Sequence, residues 1–480
     1  MIARAEAWER LQEPCDILVI GGGVTGAAIL LEAARRGLRA ALVERGDFAS
    51  GASSRSSKLV HGGLRYLKEG KLALTREAVR EREALLREAP ELVEPMPFLM
   101  PHYRGRKPGR LSVELALTFY DALAGHRRHR SLRAAQALEL EPLINERDLI
   151  GAHLFLDATT DDARLVLQLL REAEHHGGIA MNYVDAIHLL RRDDTVVGAV
   201  AIDLEGGGEC SVSAKVTINA TGVSADALRG ELGERPKLRP LRGSHLLIAH
   251  ARLPVGRAIA FSHPRDARPV FAYPWLGMTL VGTTDLDHRE TLRNEPQISP
   301  EELEYLLEAV NVQFPHSGIG SGDVVSTYAG LRPVVSSGKA DPSAESRDYL
   351  LLEEHGLVTI TGGKLTTFRP MALAALRAAA RRLDRPIDLR HMRIFEAPYA
   401  PPRTRDEALR QAAGSECVVH LDDLLLRRTR VGLQLPGGGT ELFAQIKTIC
   451  AEELGWGDVR WDAELVAYRK RWETHYGVPA

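Results

Sequence analysis

Asp16-Ile-Leu-Val-Ile-Gly-Gly-Gly-Val-Thr-Gly26 carries an apolar run straight into a glycine turn, and a helical pattern follows at once. A nucleotide pyrophosphate needs that layout. Gly21 allows the tight turn off the strand, Gly23 lets backbone approach the phosphates, and Gly26 lets helix and strand pack closely. The helix N-terminus at Val24 and Thr25 then turns N–H groups and a partial positive charge toward the anion. A second strand pattern, 38–43, ends at Glu44, 18 residues after Gly26. That is close to the spacing of about 20 residues expected for an acid gripping a ribose hydroxyl. Strand, turn, helix and acid together predict a dinucleotide site.

Working outward, 480 residues exceed one average domain, and 44% hydrophobic content supports a large core. A formal charge of −2 argues against general nucleic-acid affinity. Cys15, Cys210, Cys417 and Cys450 lie far apart with no C-x-x-C pair, which suits reduced cytosolic thiols. Residues 1–14 lack the apolar stretch of a secretory signal, and no run approaches the ~20 apolar residues of a membrane span. The expected location is cytoplasmic, in solution or lying on a surface.

Two further stretches repeat the strand-to-glycine pattern: 211–219 stops at Ala220-Thr221-Gly222, and 358–360 enters Thr361-Gly362-Gly363-Lys364. Between them 238–249, 269–273 and 278–282 read as strands of a second sheet, and 300–314 as a helix beside it. The fold class is therefore α/β, a Rossmann-like nucleotide-binding domain with an inserted β-sheet substrate domain and a small C-terminal helical domain. Residues 14–75, 155–235 and 335–388 are assigned to the first, 76–154 and 236–334 to the second, and 389–480 to the third. A ligand cleft is expected where the two sheets meet.

Ser53-Ser-Arg-Ser-Ser-Lys58-Leu-Val-His61-Gly-Gly-Leu-Arg65-Tyr66 is too rich in hydroxyls and glycine for simple core and suits a loop beneath a cofactor. Its part 56–67 resembles the signature of the FAD-dependent glycerol-3-phosphate dehydrogenases, within the D-amino-acid-oxidase-like flavoproteins. Agreement continues in order through Asp161–Val166, Asn219–Gly222, Gly243-Ser-His245, Tyr273-Pro-Trp275, Gly282-Thr-Thr-Asp285, Tyr328–Pro333, Ser346–Tyr349 and Gly362–Phe368, spanning about residues 14–385. Leu424–Arg430 resembles part of the family's helical cap, and the shorter stretch before it implies a reduced cap.

The resemblance implies FAD as cofactor and oxidation of sn-glycerol 3-phosphate to dihydroxyacetone phosphate, with electrons passed to quinone at a membrane surface; a homodimer is a further expectation. For the substrate phosphate the candidates are Arg65, Arg332 and Arg347, because a guanidinium fork matches phosphate oxygens, with Tyr66 and Lys364 beside them. His245 is the preferred proton acceptor, its ordinary pKa near 6.5 suiting the task. Arg332 and Lys364 complete the expected catalytic set. Gly21, Gly23, Val24, Thr25, Gly26, Glu44, Ser53, Ser57, Lys58, His61, Gly62, Gly63, Leu64, Ala220, Thr221, Gly222, Gly363, Lys364, Leu365 and Thr366 are expected to hold the cofactor. Gly362 and Gly363 are expected to open a helix whose N-terminus faces the flavin. No metal site is expected, and His126, His129 and His175 read as solvated.

The helix expected at 111–123 lies between Arg104-Gly-Arg-Lys-Pro-Gly-Arg110 and His126-Arg-Arg-His-Arg130, which fits an anionic membrane surface. Leu111, Leu115, Phe119 and Leu123 suit either that surface or the core. Competing readings are an oxidase of the same substrate using O2, an amine or amino-acid oxidase on the same fold, and a flavin-binding sensor or scaffold without catalysis.

Overall fold

The protein is described here from a computed structural model covering residues 2–63, 72–125, 128–339, 345, 348–384, 386–396 and 398–479. Two sheets organise it. The first places strands in the order Tyr349–Glu354, Leu357–Gly362, Glu209–Asn219, Cys15–Ile20, Ala40–Glu44, Ile179–Asn182, all parallel except the first. Ile17, Leu18 and Val19 at its centre are fully buried, as expected of a parallel strand covered on both faces. The helices Val24–Ala34, Asp162–His175 and Phe368–Ala379 pack on it. The hairpin Val184–Arg192 and Thr195–Asp203, turning at Asp193 and Asp194, extends antiparallel from Glu209–Asn219.

The second sheet has ten strands among the described residues, centred on the antiparallel pairing of Leu238–Ala249 with Val324–Val335 and of Val93–Tyr103 with Leu149–Thr160. Leu149–Thr160 lies wholly in this sheet because its pairing runs unbroken to Thr160, so the sheets part near 160 rather than at 155. Leu59–Val60 also pairs here, against Thr159 and Ala158. The loop beneath the nucleotide turn thus crosses from one sheet to the other.

The C-terminal helices Arg405–Ser415, Phe443–Leu454 and Asp458–His475 share one buried apolar cluster with the second sheet, joining Leu421, Leu425 and Trp461 to Phe98, Phe155 and Tyr273. Buried charges tie them to the first: Arg427 and Arg428 both meet Asp47, and Arg430 meets Asp161 and Asp162. Among the described residues no helix is long and apolar enough to cross a membrane.

Candidate active site

A cavity of about 2580 Å³ runs along the junction of the two sheets. Ordinary ligand pockets occupy about 300–1,000 Å³, so there is room for a dinucleotide with a second molecule. Gly21, Gly23, Val24 and Thr25 line it at the first turn, and Glu44 at the end of the next strand. Gly21 takes φ +113°, a conformation closed to side chains, against the Ala220 carbonyl. A Cβ at Gly26 would collide with the Gly21 carbonyl, so this glycine sets helix against turn without reaching the cavity. Glu44 accepts the Gly22 and Gly46 N–H groups at 2.7 and 2.8 Å, which fixes its carboxylate at the cavity wall. Burial raises its pKa all the same.

Ser53 lines the cavity and its Oγ accepts the Val24 N–H at 2.9 Å, capping the helix start. Ser57, His61 and Gly63 follow along the wall, as do Ala220, Thr221 and Gly222 from the second glycine turn. Gly363, Lys364, Leu365 and Thr366 supply the third. Here the structure corrects the expectation of a helix opening at Gly362–Gly363. A single 3₁₀ turn, Leu365–Thr367, intervenes, and the α-helix begins at Phe368. Both glycines have positive φ, and the Lys364 N–H donates to Thr367 Oγ1, so the wall here is a tight loop.

Two expected cofactor residues turn away. Lys58 is fully buried, its Nζ donating to Asp162 and to the Ser54 carbonyl at 2.8 Å each, over the rings of Trp275 and Tyr328. An unpaired ammonium there is costly, so it ties the loop to the Asp162 helix. Gly62 donates its N–H to Tyr120 Oη at 2.7 Å, and a Cβ would strike that ring. Leu64, Arg65, Tyr66 and Arg347 lie outside the described residues.

Arg332 lines the cavity from the second sheet. Its guanidinium donates to Asp285 Oδ1 at 2.8 Å, to Thr283 Oγ1 at 2.9 Å and to the Thr284 carbonyl at 3.2 Å. Thr283 and Asp285 line the same wall. These anchors belong to the 282–285 motif, yet sequence gave no sign that they would hold Arg332.

His245 is buried rather than exposed to the cavity. Its ring stacks on Tyr328 at 4.7 Å, and Gly282 leaves room for it. Nε2 lies 2.8 Å from Oγ of Ser57, which stands between the imidazole and the cavity. Burial, then the charges of Arg332 and Lys58, push its pKa well below the ordinary value. His61, by contrast, lines the cavity directly. Arg427 and Arg471 also reach the wall from the C-terminal helical region, where no local motif marks them as site residues.

Residues 16–369 match the family described as FAD dependent oxidoreductase. The chain belongs to this family. The FAD-dependent oxidoreductase is 37% identical over 375 residues to an aerobic glycerol-3-phosphate dehydrogenase of Staphylococcus saprophyticus, covering 77% of this chain and 67% of that one. It is 38% identical over 378 residues to that of Staphylococcus haemolyticus, covering 77% and 68%. The crystal structure of a glycerol-3-phosphate dehydrogenase from Bacillus halodurans complexed with FAD superposes with a TM-score of 0.78 at 28% identity, over 98% of this chain and 97% of that one. FAD is the cofactor, and the cavity fits it. The glycine turn leaves backbone open where a pyrophosphate would lie, and Glu44 and the 362–366 loop line the same cavity.

Proposed function

We propose that this oxidoreductase converts sn-glycerol 3-phosphate to dihydroxyacetone phosphate and passes the electrons to a membrane quinone. The observation that carries the reading is Arg332, fixed in the wall of an FAD-sized cavity that Lys364 also lines from the first sheet. Two cations suit a phosphate dianion, and the named relatives share that substrate in their names. FAD, when bound, supplies the acceptor for the hydride leaving C2.

The chain's residues do the rest. Arg332 and Lys364 hold the phosphate and so orient C2. Ser57 Oγ takes the C2 hydroxyl proton as its own passes to His245 Nε2. Substrate binding itself prepares that step: the phosphate offsets the Arg332 charge, one of the causes holding the imidazole's proton affinity down. His61 stays with the cofactor.

For the acceptor, the helix Arg110–Ala124 buries Val113, Leu117 and Tyr120 and leaves Leu111, Leu115 and Phe119 exposed by 74%, 65% and 41%. The stripe at i, i+4 and i+8 thus faces outward, with Leu115 and Phe119 also at the cavity. Beside it lie Arg104, Arg106, Lys107 and Arg110, a fit to an anionic lipid surface.

Adding sn-glycerol 3-phosphate without air should bleach the flavin band, whereas D-amino acids should not. Arg332→Ala should weaken substrate binding by about 2–3 kcal/mol, the usual worth of hydrogen bonds to a charged group, while the flavin stays bound. Bleaching by an amino acid in preference would overturn the assignment.

A further inference from the structure

Away from the Ser57–His245 pair, five titratable side chains form one hydrogen-bonded chain under the 110–124 helix. His102 Nε2 lies 2.6 Å from His153 Nδ1, and His153 Nε2 lies 2.7 Å from Glu114 Oε2. The other Glu114 oxygen is 3.2 Å from His129 Nε2, whose Nδ1 is 2.7 Å from Asp121 Oδ2. His129, expected to be solvated, is buried for this reason.

Sheet register builds the arrangement. Phe98, Met100 and His102 alternate onto one face of their strand, and antiparallel pairing sets Phe155 opposite Phe98 and His153 opposite Met100. The helix covers that face and brings Glu114 down to His153. The ends of the chain differ. His102 lines the cavity, His153 is fully buried, and the Glu114 side chain is 33% exposed.

An imidazole with a partner on each nitrogen can accept a proton on one and release it from the other, and His153 has that geometry. Burial lowers His102 to about 4 and lowers His153 as well. Arg110 faces both rings and adds to the effect, the Pro108 carbonyl faces His102, and the Arg128 N–H donates to Asp121. Glu114 sits below the usual carboxylate range through its bonds with His153 and His129.

We propose that His102, His153 and Glu114 form a proton relay from solvent to the part of the cavity beneath the 110–124 helix, serving a quinone seated there. The proposal rests on the quinone reading above. Phe98, Phe155, Ala116 and Phe119 line that part, an apolar wall suited to a quinone ring. The alcohol loses a hydride and its hydroxyl proton; the quinone gains two electrons and two protons to become the hydroquinone. The sum, alcohol plus quinone to ketone plus hydroquinone, consumes no net proton. The hydroxyl proton is released at Ser57, however, so protons for the quinone oxygens need their own route.

The test compares Glu114→Gln and His153→Asn with the unaltered flavoprotein, using a short-chain quinone, which takes up protons, and ferricyanide, which takes electrons alone. Loss of a proton-transfer group typically costs 10²–10⁴-fold, so quinone turnover should fall by about tenfold or more while ferricyanide turnover holds. Equal loss with both acceptors, or none, overturns the relay. An unaltered enzyme that reduces ferricyanide but no quinone overturns the underlying reading instead. Independently of turnover, 15N NMR of the histidines in flavin-free protein should show both His153 nitrogens shifting in Glu114→Gln; unmoved signals mean the chain is not formed.

Discussion

The imidazole of His245 is held neutral by burial, by Arg332 and by Lys58 acting in the same direction. A histidine acts as base when unprotonated, and a lowered pKa keeps it so as pH falls past 6.5. Its titration, followed by NMR of the ring protons, should therefore lie below 6.5, and Arg332→Gln should move it upward by removing one repelling cation. A midpoint that does not rise in the variant would remove Arg332 from the electrostatics of the site. The sequence singled out His245 and Ser57 separately, but nothing 188 positions apart along the chain indicates that one stands in front of the other.

At the scale of elements, the 16–44 unit was legible because each of its demands is local. A turn, a helix start and a strand end are written in consecutive residues, and Gly26 shows the tolerance. Gly26→Ala would push a methyl into the Gly21 carbonyl, so the variant should lose flavin retention, measured as absorbance per protein after gel filtration. The 110–124 helix was legible only as a helix, because apolar residues on both faces do not say which one the core takes. With Leu111 and Leu115 exposed, Leu111→Glu with Leu115→Glu should abolish co-sedimentation with anionic vesicles and leave thermal stability within about 0.5 kcal/mol, as is usual for surface changes. Unchanged sedimentation would take this face out of the membrane reading.

For the whole molecule, the C-terminal region is fastened by charge as well as by apolar contact. Asp47 is buried between Arg427 and Arg428, and Arg427 also meets Asp422 and Asp423. Burial opposes ionisation of Asp47, but the two guanidinium groups outweigh it and hold its pKa below the usual carboxylate range. A depressed carboxylate contributes stability that is present above its unfolded pKa of about 3.9 and is lost as pH falls below that value. Asp47→Asn leaves two buried cations short of a partner and should cost about 3–5 kcal/mol in urea denaturation, together with the acid-dependent part of the stability. A loss below 1 kcal/mol would mean solvent already reaches the cluster.

The sequence alone determined the dinucleotide turn, the α/β class and the family, since these rest on short-range backbone requirements that glycine, apolar runs and fixed spacings record. Tertiary structure decided which side chains face the cavity. Lys58 and Gly62 sit within the same loop as Ser57 and His61 yet turn away, because Asp162 and Tyr120 hold them from elements about sixty to a hundred residues distant. The histidine chain under the 110–124 helix is likewise the work of strand register and helix cover. Such pairings depend on which strands lie side by side, and local sequence carries no record of that.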